Sequence, residues 1–123
     1  MIEIKSMSRE FDEVQQYLMT VANSIKSMKD VEDGTKITVY GTIEFIDKKD
    51  GKDEVEVLSI ITPDNEVYSC QSQTFKRSLK DIENIMHGKE FTIIKTSGTT
   101  KAGRPYINCT LDIDSLKSSK KNK

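Results

Sequence analysis

The sequence predicts a mainly β protein with helices, from the order of its apolar segments and from its length. Between residues 35 and 113 three strand-like runs come first, then one short amphipathic helix, then two further strand-like runs. This is the element order of a five-stranded Greek-key barrel, the OB-fold. A chain of 123 residues provides one such barrel and a short extension.

We expect three segments along the chain. Residues 1–34 form an N-terminal arm and an amphipathic helix, and residues 35–114 form the barrel. Residues 115–123 form a Ser/Lys-rich basic tail with a composition typical of disorder.

The N-terminal helix is predicted from apolar periodicity. Apolar residues recur at spacings of three and four over residues 11–28, the period of one helical face, and Ser8 stands where an N-cap belongs. We therefore expect a helix over residues 9–29 that packs on the barrel or on a second copy of the chain. Ile2 and Ile4 indicate a short extended arm before it.

The barrel elements follow from alternation, turn residues and one more helical stripe. Gly41 lies inside the first strand, where a glycine indicates a bulge that lets the strand pair with two neighbours. The helix is expected to stop at a His-Gly pair. The predicted elements are strands over residues 36–46, 54–62 and 66–72, a helix over 74–86, and strands over 89–96 and 105–113.

Strand alternation predicts which side chains face the barrel interior. In the first and last strands the inward set is Ile37, Val39, Ile43, Ile107, Cys109, Leu111 and Ile113. The outward set includes Tyr40, Thr42, Tyr106, Asn108, Thr110 and Asp112. Tyr68, in the third strand, has no assigned direction because either phase of that strand is plausible.

Composition excludes several classes of protein. The chain is 35% hydrophobic and 32% charged, and no apolar run approaches the ~18 residues of a membrane span. The first residues are polar and acidic, unlike a secretory signal. We expect a cytoplasmic protein with no membrane partner.

No residue pattern indicates catalysis, a metal or a cofactor. His87, the only histidine, lies beside a helix-stopping glycine and is expected to be a surface cap residue. Cys70 and Cys109 have no CxxC or histidine partner, so zinc is not indicated and both are expected to be buried. We predict that the protein is not an enzyme and has neither catalytic nor metal-binding residues.

A binding surface is predicted from aromatic and basic residues. Single-stranded nucleic acid is held by base stacking on aromatic rings and by cations along the phosphates. The predicted nucleic-acid-binding residues are Tyr40, Tyr68, Lys76, Arg77, Lys95, Lys101, Arg104 and Tyr106.

The charge distribution favours the C-terminal third of the chain as that surface. The net charge is only −1, but residues 1–33 carry −3, residues 34–75 carry −4 and residues 76–123 carry +6. A phosphate backbone responds to the local field, since salt screens charges beyond ~8 Å. The loop between the last two strands is the best candidate, because no acid occurs between Phe91 and Leu111.

Two sequence runs add a family resemblance. One is Tyr-Ser-Cys-Gln-Ser-Gln-Thr-Phe over residues 68–75, leading into the short helix, and the other is Gly-Arg-Pro-Tyr-Ile-Asn over residues 103–108. With the strand order, they resemble the small single-stranded DNA-binding proteins of Gram-positive phages and conjugative plasmids. The resemblance implies an OB-fold that coats single-stranded DNA without sequence specificity during replication or transfer.

Two alternatives remain open. The ligand could be RNA, which the sequence does not distinguish from DNA. The other alternative is an OB-fold protein-interaction or inhibitor module of a mobile element, whose acidic loops imitate nucleic acid.

The chain ends in SSKKNK, not in the acidic, apolar-tipped tail of typical bacterial single-stranded DNA-binding proteins. Recruitment of partners through the tail is therefore not expected, whereas the N-terminal helix is a candidate for joining copies of the chain.

Overall fold

The computed structural model describes residues 2–48 and 54–114, and these form a mainly β protein with two helices. The predicted tail over residues 115–123 lies outside the described residues. None of the described helices is long and apolar enough to cross a membrane. The elements are β1 (Ile2–Met7), α1 (Glu13–Thr20), β2 (Lys26–Ser27), a 3-10 turn (Met28–Asp30), β3 (Lys36–Val39), β4 (Gly41–Asp47), β5 (Val55–Ile61), β6 (Val67–Cys70), α2 (Gln73–Met86), β7 (Phe91–Thr99) and β8 (Pro105–Leu111).

The strands form two sheets that do not close on each other. One sheet has the order β1-β4-β5-β6-β2 and the other the order β3-β7-β8. All neighbours are antiparallel except β2 and β6, which are parallel. In the described part of the chain no ladder joins β8 to β6, so one side of the space between the sheets stays open.

The expected bulge in the first strand is confirmed at Gly41. Two residues of this strand oppose Ile61. Gly41 is the register partner of Ile61, and the Tyr40 N–H donates to the Ile61 carbonyl at 2.9 Å. The strand thereby splits into β3, in the small sheet, and β4, in the large sheet. Glycine is needed here because a Cβ would lie 2.5 Å from Cζ of Phe11.

The bulge also corrects the predicted inward set. An extra residue reverses the side-chain phase, so Ile37 and Val39 face one core and Ile43 faces another. The inner core lies between the two sheets and α2, and the outer core lies between the large sheet and the N-terminal segment. The inner core contains Met28, Ile37, Val39, Leu58, Ile60, Cys70, Phe75, Leu79, Phe91, Ile93 and Cys109. The outer core contains Phe11, Met19, Ile43, Phe45, Val57, Ile61 and Val67.

The predicted helix over residues 9–29 is wrong in length and in its cap. The helix α1 has eight residues and begins after Asp12, whose carboxylate accepts from the Gln15 N–H at 2.8 Å in a capping box. Ser8 instead accepts from the Thr42 N–H at 2.8 Å. The chain leaves the helix after Thr20 because Met28 fills the inner core, on the other side of the large sheet from Met19.

The end of β8 gives a second correction. Asp112 is 2% exposed and Ile113 is 56% exposed, the reverse of the predicted directions. The strand ends at Leu111, so the alternation does not extend to these residues. The Asp112 N–H donates to the Thr92 carbonyl at 2.8 Å. The Asp112 carboxylate lies 3.3 Å from Nζ of Lys36.

Candidate nucleic-acid interface

The open side between the sheets is a groove of about 700 Å³, which we call the inter-sheet groove. Its walls are the ends of β2 and β6, residues 71–72, and parts of β7 and β8; Lys29, Lys95, Ser97 and Tyr106 are among the lining residues. A single weak hydrogen bond crosses it in the described part of the chain, from the Ser72 hydroxyl to the Ile107 carbonyl at 3.4 Å. The groove therefore occupies the place where a closed barrel would pair these two strands.

Tyr106 forms the rim of this groove, and its ring is held in place by Gly98. The two residues are register partners on β8 and β7. A Cβ on Gly98 would lie 2.5 Å from the Tyr106 hydroxyl oxygen and 2.7 Å from Cζ, so the ring lies directly over the glycine. The side chain is 37% exposed, which confirms its predicted outward direction. The ring thus packs on the glycine and stays partly exposed at the groove.

Lys95 lies on the groove wall but is not the surface cation that the sequence predicts. Its side chain is 5% exposed, and its Nζ lies 3.0 Å from Oδ1 of Asp33. The Ser97 hydroxyl donates to the other oxygen of the same carboxylate. These two hydrogen bonds, that from Ser97 first, hold the pKa of Asp33 below its ordinary value.

Lys76 is the second predicted cation that the structure buries. It is 4% exposed on α2, and its Nζ donates to the Glu56 carbonyl at 3.3 Å. A lysine stem packs along apolar surface while its ammonium reaches a polar atom, so charge alone does not place it outside. Arg77, the next residue, is exposed on α2 and lies away from the inter-sheet groove.

Lys101 and Arg104 are exposed in the turn between β7 and β8. The turn is well ordered by hydrogen bonds, because the Thr100 N–H donates to the Arg104 carbonyl and the Gly103 N–H donates to the Thr100 carbonyl, both at 2.9 Å. Gly103 has a φ of +84°, a conformation that a glycine adopts without strain. Arg104 precedes Pro105, a groove-lining residue, and Lys101 lies three residues before Arg104 in the same turn.

The other two tyrosines do not join Tyr106. Tyr40 is half-buried against the outer core, and the Arg9 guanidinium lies 4.0 Å from its ring centroid. Tyr68 packs against the inner core, with Nζ of Lys26 at 5.5 Å from its centroid, and burial raises its pKa. Of the three tyrosines predicted to bind nucleic acid, only Tyr106 therefore borders the groove with an exposed ring in the described structure.

The outer face of β5 and β6, which an OB-fold commonly offers to its ligand, is covered here. The helix α1 lies on it, with Met19 fully buried and the Ser59 hydroxyl donating to the Met19 carbonyl. The expectation that this helix packs on the strands is confirmed. This face is therefore not open to a ligand, whereas the inter-sheet groove, of about 700 Å³, is open.

Three residues at or beside the groove have no signal in the sequence. Lys29 falls in the predicted helix, and Asp33 and Ser97 fall in two separate predicted loops with no common pattern. Asp33 and Ser97 meet because the Gly34 N–H donates to the Lys95 carbonyl at 2.8 Å and the Lys95 N–H donates to the Thr35 carbonyl at 2.9 Å. This pairing brings an acid to the stretch between Phe91 and Leu111, which itself contains none.

The groove combines an exposed aromatic ring with lysine and serine side chains. In the ranges that the structure describes, no three His, Cys, Asp or Glu side chains are grouped so that they could hold a metal ion. Both cysteines are buried, as expected, and burial raises the pKa of each thiol to about 12. Comparison of the chain with family models, curated proteins and solved structures finds no match.

Proposed function

We propose that the protein binds single-stranded DNA without sequence specificity, in the inter-sheet groove and along the rim of the β7–β8 hairpin. The observation that carries the proposal is the ring of Tyr106, which packs on Gly98 while the residue stays 37% exposed at the groove rim. A fixed aromatic ring beside cations is the arrangement that stacks bases and follows phosphates.

The proposal includes an OB-type architecture opened along one seam. The strand order β3/β4, β5, β6, α2, β7, β8 agrees with the OB order, and the inner core is continuous across both sheets. The seam between β6 and β8 provides the ligand path that the covered face of β5 and β6 does not. The biological setting that agrees with the sequence resemblance is phage or plasmid DNA replication or transfer, in the cytoplasm.

The charges around the groove support a phosphate-bearing ligand. Lys29 lines it, and Lys101 and Arg104 extend from the adjacent turn. Exposed cations of this kind release counterions when they bind phosphates, so affinity must fall as salt rises.

The test is the affinity of the full chain for labelled oligothymidine over a salt series, beside duplex DNA and RNA strands of equal length. Alanine at Lys101 and Arg104 together should flatten the log-log salt slope by ~0.7 for each phosphate that is no longer neutralised. The matched control replaces Arg77 and Lys89, two exposed cations outside the groove. A slope lowered by the control pair and not by the hairpin pair would place the strand elsewhere, and equal affinity for duplex DNA would contradict the proposal.

A protein-binding module is the second candidate, and one observation favours it. The edge of β8 that faces the groove carries the Ile107 carbonyl, which accepts only a weak hydrogen bond from the Ser72 hydroxyl among the described residues. Exposed strand edges bind extended peptides by adding a strand. Absence of oligothymidine binding in every condition would favour this candidate over the first.

A further inference from the structure

An exposed carboxylate holds a buried ammonium at the wall of the inter-sheet groove. Nζ of Lys95 lies 3.0 Å from Oδ1 of Asp33, and the Ser97 hydroxyl donates to Oδ2. Lys95 and Ser97 both line the groove. The Asp33 carboxylate thus accepts from the Lys95 ammonium with one oxygen and from the Ser97 hydroxyl with the other. It does so where the proposed ligand would pass.

The two side chains of this ion pair differ in how freely they can move. The side chain of Lys95 is 5% exposed, whereas that of Asp33 is 55% exposed. Backbone hydrogen bonds between residues 34–35 and Lys95 fix the loop, but the carboxylate itself points to solvent and can rotate away. An ion pair with such an exposed partner contributes little to stability. The ammonium is therefore the fixed member and the carboxylate the exchangeable one.

A phosphodiester offers the same chemistry as this carboxylate. It is anionic and presents two unesterified oxygens, which accept from an ammonium and a hydroxyl as a carboxylate does. We propose that Asp33 is an internal phosphate mimic, and that a backbone phosphate of the bound strand replaces it on Lys95 and Ser97. This inference rests on the proposed function and adds an anion subsite that the free protein keeps occupied.

The mimic lowers affinity in a defined way. A strand must displace Asp33 before it gains Lys95, and the displaced carboxylate stays close to the phosphates. Removal of the carboxylate should free the subsite, so that Asp33→Asn binds oligothymidine several-fold more tightly and with a salt slope steeper by ~0.7. Glu32→Gln is the matched control, because Glu32 is an exposed neighbour and the change in net charge is the same.

Lys95 supplies the decisive comparison. In the double variant Asp33→Asn/Lys95→Gln the gain in affinity and in slope should disappear, with thermal melting as the check that each variant is folded. Asp33→Ala serves as a second variant, since it leaves no amide oxygen that could still hold the ammonium.

A small anion tests the subsite independently of nucleic acid. Inorganic pyrophosphate should produce a saturable heat of binding with Asp33→Asn that is absent from Asp33→Asn/Lys95→Gln. If pyrophosphate binds in this way but no variant binds oligothymidine, the proposed function fails and the anion subsite stands. If wild type binds oligothymidine, and Asp33→Asn and Glu32→Gln are equal in both assays, the mimic is overturned and the proposed function stands.

Discussion

At the scale of single residues, burial decides which chemical groups can act. Three residues with reactive or charged groups are buried: Cys70 and Cys109 in the inner core, and Lys76 on α2. For the two thiols, burial raises the pKa to about 12, which keeps them protonated at neutral pH. Only the thiolate is an effective nucleophile. These cysteines therefore act as small apolar residues.

The thiols give a prediction about pH. Native protein should react with iodoacetamide at pH 8 far more slowly than protein in denaturant, where both thiols are exposed. Because folding raises the pKa of the thiols, only the unfolded thiols ionise between pH ~9 and 12. The free energy of unfolding is therefore unaffected below pH ~9 and falls as pH rises toward 12. Mass spectrometry of alkylated protein measures the first effect. Fast labelling of folded protein at pH 8 would contradict the burial.

At the scale of elements, the large sheet is buried on both faces. β5 supplies Leu58 and Ile60 to the inner core and Val57 and Ile61 to the outer core. The helix α1 makes the outer core possible, although it is short and its Val14 and Tyr17 face solvent. An eight-residue helix is marginal alone, so its stability comes from packing on the sheet.

The packing of α1 on the sheet can be tested by two substitutions in the same helix. Met19→Ala should lower the free energy of unfolding by ~2–5 kcal/mol, because Met19 is 0% exposed and its removal leaves a cavity. Val14→Ala, at a position that is 66% exposed, should change it by no more than about 0.5 kcal/mol. Urea unfolding of both variants is the measurement. Equal effects would show that α1 does not pack on the sheet.

The elements also show how much of the fold is readable from the sequence. Alternation and glycine predict all the described strands except β2, which fell in the predicted helix over residues 9–29. They also predict α2 with its stop at His87 and the bulge at Gly41. The length of α1 is not, because its periodic apolar residues belong to two cores on opposite sides of one sheet. Local periodicity carries no information about which core a side chain enters.

At the scale of the whole molecule, the candidate site depends on contacts between distant segments. Tyr106 is predicted as an outward residue from its own strand, and the structure confirms this. Asp33 reaches Lys95 only when the loop before β3 pairs with β7, which no local pattern encodes. Assembly through the N-terminal helix stays a prediction, with the exposed side chains of α1 as the surface that a second copy would use.

The most direct test of the central claim compares two tyrosines. Tyr106 and Tyr17 are both exposed, but Tyr106 borders the inter-sheet groove and Tyr17 lies on α1. Tyr106→Ala should weaken oligothymidine binding by ~1–3 kcal/mol, the value of one base stacked on an aromatic ring. Gly98→Ala, which crowds the same ring, should weaken it in the same direction. In fluorescence anisotropy at fixed salt, we expect weaker binding for these two variants and wild-type affinity for Tyr17→Ala. An unchanged affinity in folded Tyr106→Ala would contradict a binding site at the inter-sheet groove.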